Sequence, residues 1–500
     1  MAIYIDPDVV QDIDNINSSV FRYLIKKHKE YCHKLQKNYD YYLGKHKILS
    51  SDMEDIEKVR VFSNYAKYVV DISTGYYLGE PVKYNSDKAN KNKQKKEILN
   101  AGIQASIQNG AVRQYDWEES KQIDISRAID VYDNQTISEC DAKIAKHIGI
   151  FGEAYELEYA NNKENPEPRT TVVDPRNCIM VRDNTVEHNK LFAIVYQQQE
   201  DLGEVKYYDV TVYTDHNMKK YRSTNLEDFE FKPIVGSEAE HYFGEVPIVE
   251  YQNNDERQGD FEQCIPLIDG LNELLSDRIT DKKKFVNSLL AMFGITLDDD
   301  DIKILNKERF LDGIPLDARI EYIQKVFDES SMNVLCNDII REIHKMTLTV
   351  DMTDNNFAGN SSGQALMLKL MTMNILVKSK MRSFEKGLKK RFEMYNHWLT
   401  IKGEMVPIDK KELDIIFTIA MPIDKAEIVN MVTNLQGIVD NKTLISQLWF
   451  VKDVDEVLEN LKIQKKEAQQ EYLDSFGLTK STEQSGEESN NKSQEEKADE

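Results

Sequence analysis

A mainly helical α+β fold is predicted by three features of the chain. Long stretches place apolar residues at a 3.6-residue period. One window, about 152 to 251, breaks instead into short β-branched and aromatic runs separated by turn residues. Residues 363 to 402 then run without a proline, enough for roughly 60 Å of helix. At 500 residues, 40% hydrophobic and 30% charged, the chain can bury a sizeable core across roughly three domains.

The elements follow in order. "MAIYIDPDVVQDID" has no basic n-region and no apolar h-region, so no secretory signal is expected. Residues about 18 to 44 read as an amphipathic helix, with Ser18 or Ser19 to cap it and Gly44 to end it. A second helix covers about 63 to 77, and "LGEPVKYN" is a turn into a short strand. The Lys-, Asn- and Gln-rich stretch from 86 to 115 is read as helix followed by an exposed loop, and 133 to 150 as helix again. Strands follow in "GEAYELEYA", "RTTVVDP", "CIMVRD", "LFAIVYQQQ", "VKYYDVTVYT", "KKYRS" and "VPIVEYQ".

Pro266 sits where a helix starts, since its missing N–H costs nothing there. Apolar residues at 267, 268, 271, 274, 275 and 279 form one stripe, and the helix is expected to run on through "DKKKFVNSLLAMFG" to about 290. A compact insertion follows, and a second helix covers about 327 to 347. "DMTDNNFAGNSSGQALMLKL" then leads into the proline-free helix, where Gly387 is the one expected point of bending. "LDIIFTIAMP" reads as a strand stopped by Pro422, residues 424 to 472 as helix, and the last 28 residues as a disordered acidic tail.

Composition narrows the chemistry. No run of about 18 apolar residues is present, so no transmembrane helix is expected. Five scattered Cys form no CxxC, which fits neither a disulfide framework nor a zinc ribbon. The net charge of −23 argues against tight phosphate gripping. The Gly-rich stretch fails as a P-loop because Gln364 follows Gly363 where Lys is essential. It fails as a calcium loop because Ala365 stands where the bidentate acid belongs. Four consecutive acids, Asp298 to Asp301, cannot converge on one ion along a helix or strand, and read as a solvated turn. "DKKK" (281 to 284) reads as a solvated helix face, and Trp398 and the Tyr-rich segments as core. No cofactor and no metal site is expected.

Several blocks together resemble a family. They are "YYLGKHKIL" with "NYAKYVVDISTGYYLGEPVKY", "GIFGEAYELEY" with "VVDPRNCIMVRD", "GEVPIVEYQNNDERQGDFEQCIPLIDGLNELLSD" and "NNFAGNSSGQALMLKL". In this order and spacing, from about residue 20 to 470, the chain resembles the portal proteins of tailed bacteriophages, of the type found in long-tailed phages of Gram-positive hosts. One departure is that "TVDMTDNN" lacks a Pro between the second helix of the pair and the loop.

The resemblance implies a non-enzymatic ring, usually of twelve subunits, around a channel for double-stranded DNA at one capsid vertex. It implies a wing (1–264), a stem of two helices (265–290 and 327–348) around a clip (291–326), and a tunnel loop (349–362). A long helix with a returning wing strand (363–423), a helical crown (424–472) and the tail complete the portal fold. Within it, the tunnel loop would present Thr353, Asp354, Asn355, Asn356, Phe357, Ala358, Gly359, Asn360 and Ser361 to DNA. The stem would offer Lys282, Lys283, Lys284, Arg341 and Lys345, and the clip would dock motor or adaptor through Asp298, Asp299, Asp300, Asp301, Lys303, Lys307 and Arg309. Implied partners are further copies of the chain, DNA, the terminase large subunit, scaffold, major capsid protein and a head–tail adaptor, with no membrane. The implied location is the virion, after assembly in the host cytoplasm. The competing readings are a nucleic-acid-dependent ATPase or nuclease using "GNSSGQ" and "DDDD", and another ring component of neck or head.

Overall fold

The computed structural model describes residues 2–9, 16, 18–50, 58–86, 125–162, 164–225, 232–286, 289–294, 298, 319–323, 329–351, 368–419, 425–446, 448, 451 and 454–475. Residues up to 420 form one compact unit and those from 421 onward a second.

The first unit is a mixed α+β assembly. Its helices are α1 (Ser18–Tyr42), α2 (Lys47–Ser50), α3 (Tyr65–Leu78), α4 (Ser126–Asp133), α5 (Ile137–Phe151), α6 (Ile265–Val286), α7 (Glu329–Thr347) and α8 (Met371–Ile401). Strand β1 (Ala2–Ile5) was not anticipated from sequence; it pairs in parallel with β5 (Cys178–Asp183), Ile3 opposite Val181. From β5 the sheet continues antiparallel through β6 (Lys190–Asp201), β7 (Glu204–Tyr213) and β8 (Asn217–Ser223), with the short β9 (Lys232–Pro233) and β10 (Ala239–Glu240) both on β8. A second sheet joins β3 (Glu153–Ala160) centrally to β4 (Pro168–Val173) and β11 (Ile248–Gln252).

Period-two alternation explains how these layers stack. Ile179, Val181, Phe192 and Ile194 face α1 and bury Phe21, Leu24 and Ile25. Their neighbours Cys178, Met180, Ala193 and Val195 face the smaller sheet and meet Tyr155, Val173 and Ile248. Strands β5 and β6 are therefore apolar on both faces, which is why they read as continuous apolar runs. β2 (Lys83–Ser86) pairs with β14 (Leu413–Ile416), bringing together segments more than 300 residues apart.

Several elements differ from their expected bounds. The helix expected to reach 290 stops at Val286, and Leu289–Phe293 is instead a strand, β12, paired antiparallel with β13 (Arg319–Ile323). A short apolar run such as "LLAMF" satisfies either period; here Gly294, at a left-handed φ of 76°, ends it as a strand. The strand expected to 422 ends at Ile416; the helix read over 133–150 is α5, and α4, which was not anticipated, precedes it across a short turn. The stretch 87–124, the loop residues 352–367 and the tail from 476 lie outside the described residues.

α8 runs without interruption through Gly387. This glycine does not serve as a hinge but seats an aromatic ring, since a Cβ there would lie 2.1 Å from Tyr251 Cε1. Trp398 is buried, as expected. In the second unit, the described residues from 425 onward form three helices: α9 (Lys425–Leu435), α10 (Asn441–Ser446) and α11 (Val454–Ser475).

Candidate functional site

The sequence directs attention to the helix pair and the loop after it. α6 and α7 share an apolar cluster in which Ile268 and Leu271 meet Cys336 and Ile343, with α1 and α3 completing it. Leu267, Leu274 and Leu275 of the predicted stripe pack against this cluster, whereas Ile279 is exposed. Glu329 at the start of α7 accepts from Arg278 and Lys282 of α6, each at 2.7 Å, and these two cations hold its carboxyl below the usual range. That clamp joins the end of α6 to the beginning of α7, so the pair runs antiparallel.

α6 also carries a polar ladder that the sequence reading missed. The chain at 59–63 lies extended along the helix. The N–H groups of Val59, Val61 and Ser63 donate to Thr280 Oγ1 (3.0 Å), Ser276 Oγ (3.0 Å) and Asn272 Oδ1 (2.8 Å). Two residues of extended chain advance about as far as four residues of helix, so the two periods stay in register. The signal was present as polar residues every fourth position on an otherwise apolar face. Ser276→Ala strands the Val61 N–H. We expect a stability loss of about 1–3 kcal/mol, with faster hydrogen exchange at the Val61 amide. Unchanged exchange there would remove the ladder as a stabilising contact.

Of the proposed stem cations, Lys282 is engaged by Glu329, Arg341 by Asp338 and Lys345 by Glu342. All three remain largely exposed, and such surface pairs are worth about 0–1 kcal/mol, so they open readily. Lys283 is exposed with no ion-pair partner among the described residues, and Lys284 lies in the last turn of α6. Asp298 is exposed. The other clip candidates, Asp299, Asp300, Asp301, Lys303, Lys307 and Arg309, lie outside the described residues, as do the tunnel-loop candidates Thr353 to Ser361.

What the structure adds is the exit from α7 toward that loop. Leu348 adopts a left-handed φ of 55°, a conformation costing about 1–2 kcal/mol outside glycine. The turn is held on every side. Thr347 Oγ1 donates to the Ile343 carbonyl (2.8 Å) and lies 2.7 Å from Thr349 Oγ1, and Tyr68 OH donates to the Val350 carbonyl (3.2 Å). His344 presents its ring edge-on between Tyr65 and Tyr68; burial lowers its pKa, with Asp351 pulling the other way. These contacts fix the direction in which the chain leaves α7 without the proline that the family pattern led one to expect.

Beyond the loop, α8 is anchored by buried ions. Arg391 is fully buried and bonds Glu156 through Nε (2.9 Å) and Nη2 (2.5 Å), with Asp141 2.7 Å from Nη1. Lys380, also buried, pairs with Asp260 and donates to Ser73 Oγ. Beside them, Arg257 bridges Glu153 and Glu250, and Arg182 adds a second cation to Glu250. Burial alone would raise the Glu250 pKa, but Arg257 and then Arg182 overcome it and hold it at about 2. A depressed carboxylate stabilises fully above its unfolded value near 4.5 and loses that contribution as pH falls toward 2. Denaturant titrations should therefore show stability falling by a few kcal/mol from about pH 5 to pH 2, with a shallower slope in Glu250→Gln. Equal slopes would assign the acid sensitivity elsewhere.

No helix among the described residues is long and apolar enough to cross a membrane. The family model "Phage portal protein, SPP1 Gp6-like" matches residues 22–471. The portal protein of Clostridium phage phiCD119 is 24% identical over 326 residues, covering 60% of this chain and 68% of that protein. The portal protein of Bacillus phage SPP1 is 22% identical over 312 residues, covering 56% of this chain and 58% of that protein. Among solved structures, a chain from the "Neck of empty GTA particle computed with C6 symmetry" aligns at a TM-score of 0.41 and 10% identity. The alignment covers 77% of this chain and 89% of that one, a score too low to weigh in the assignment.

Proposed function

Because the chain belongs to the SPP1 Gp6-like family of phage portal proteins, we propose that it forms a closed ring at one capsid vertex, through which double-stranded DNA enters and leaves the head. The observation that carries this reading is the continuous family match from residue 22 to 471. It spans α6, α7, the hairpin between them, the turn at Leu348 and α8.

In this reading α6 and α7 are the stem and line the channel. The segment 291–326 is the clip, where the terminase large subunit docks during packaging and a head–tail adaptor afterwards; scaffold and major capsid protein meet the ring's periphery. Residues 349–362 are the tunnel loop at the constriction, and the helices after 424 form the crown. The small polar residues of the loop follow the duplex without gripping it, and the net charge of −23 per subunit repels phosphates toward the axis. Stem cations already engaged by Asp338, Glu342 and Glu329 give weak, exchangeable contacts in place of tight binding, which suits translocation. The chain itself carries out no catalysis; the docked motor supplies the energy.

Single-particle imaging of the purified protein tests the proposal. A ring of about twelve subunits with an open axis, residues 351–362 at its narrowest point, is the expected result. A compact monomer that hydrolyses ATP would overturn it in favour of an enzyme of the packaging machinery.

A further inference from the structure

A basic hollow of about 630 Å³ opens beside the middle of α8 on this otherwise acidic chain. Arg382, Lys386 and Lys390 of α8 line it with Arg182, Lys190 and Lys410. Much of this charge is balanced in place. Glu245 lies 2.6 Å from Lys390 and 3.6 Å from Lys190, Glu393 3.0 Å from Lys390 and 3.1 Å from Lys410, and Glu250 2.7 Å from Arg182. Lys389, also in the wall, is taken by Glu385 at 2.5 Å. Arg382 and Lys386 are different. Both are exposed, and neither has an ion-pair partner among the described residues.

These two cations do nothing for the helix that carries them. Together with exposed Lys378 they stand at four-residue intervals on one face of α8, and like charges so spaced oppose helix formation. A stripe that works against its own element calls for an explanation outside the subunit.

We infer that the hollow around Arg382 and Lys386 is a docking site for acidic side chains of a second copy of this chain. The inference rests on the ring reading. Copies that each carry −23 repel one another, and at physiological salt that repulsion is screened beyond about 8 Å. It therefore acts where two surfaces meet, and a local excess of cations relieves it there. A hollow of this size takes a few carboxylates, not the width of a duplex. The glutamates among its lysines would also repel a continuous phosphate backbone, whereas discrete carboxylates can be seated between them.

The test is the assembly of full-length R382E/K386E, measured by mass photometry over a range of protein and salt concentrations. The charge-matched control is K26E/K143E, which alters exposed lysines on α1 and α5, away from the hollow. Thermal melts confirm that both variants are folded. The expected result is that R382E/K386E needs at least tenfold more protein to assemble, the control assembles like wild type, and the wild-type ring weakens as salt rises. Equal assembly of both variants overturns the inference and leaves the ring intact. Normal assembly with lost binding of a fluorescent 30-base-pair duplex overturns it in favour of nucleic acid. A wild type that never assembles overturns the ring reading itself, and the docking site with it.

Discussion

Arg391→Met is expected to destabilise the protein by about 3–5 kcal/mol, because it removes the cation facing two buried carboxylates. Arg391 has no exposed surface, Glu156 none, and Asp141 almost none. In wild type, burial pushes Asp141 upward while Arg391 pulls it back. Burial, then the charge of Glu156, already drives Glu158 well above the ordinary carboxylate range. Without the guanidinium the remaining carboxyls must bind protons to stay buried. Their folded pKa values then exceed their unfolded ones, so the variant should regain stability as pH falls through the folded values. Wild type, dominated by depressed groups such as Glu250, should do the reverse over about pH 5 to 2. The triple variant R391M/E156Q/D141N removes both signs of charge and should recover most of the loss. A single variant that melts like wild type, or a triple variant as unstable as the single, would show that the cluster is not an ion-pair anchor. For a portal the consequence is mechanical: α8 follows the proposed tunnel loop, and this cluster ties α8 to α5 and β3.

How much of this was legible depended on the range of the interaction. The 3.6-residue stripe on α6 and the turn residues between strands are local, and both elements could be read directly. The alternation that sorts β5 and β6 into two buried faces is local too, although it looked like continuous apolar sequence. "LLAMF" was ambiguous because five apolar residues suit either period, and only pairing with Arg319–Ile323 decides it. The buried ions were invisible for a different reason. Arg391 and Glu156 are 235 residues apart and Lys380 and Asp260 are 120 apart, so nothing local marks any of these charges as buried or paired. Leu348 gave no signal at all, since nothing local marks a leucine for a left-handed turn.

Two of the blocks that carried the resemblance meet at Gly152, where substitution should be severe. Gly152 ends α5 at a φ of 82°, and an added Cβ would lie 2.4 Å from both the carbonyl carbon and the oxygen of Arg257. Those are backbone atoms, which cannot rotate away. The approach is reciprocal, because a Cβ on Gly259 would lie 2.4 Å from the Ile150 carbonyl oxygen. Asp260 N–H donates to the Gly149 carbonyl (2.8 Å) and Asn253 N–H to that of Gly152 (2.9 Å), closing the junction from both sides. "GIFGEAYELEY" and "NNDERQGDFEQC" therefore touch main chain to main chain, and the glycines in them are requirements of that contact. Gly152→Ala is expected to cost about 3 kcal/mol or more, combining left-handed strain with a displaced Arg257 whose guanidinium no longer meets Glu153 and Glu250. Gly203→Ala is the calibration. Gly203 has a φ of 91° with nothing within 4 Å of its Cβ, so it bears the conformational strain alone, about 1–2 kcal/mol. The difference between the two variants in chemical denaturation measures the contact. Equal losses would mean that the junction yields to a methyl group and that Gly152 is required only for its turn. A large excess in Gly152→Ala, with acid sensitivity reduced because Glu250 keeps only Arg182 of its two cations, would tie this backbone contact to the ion cluster it positions.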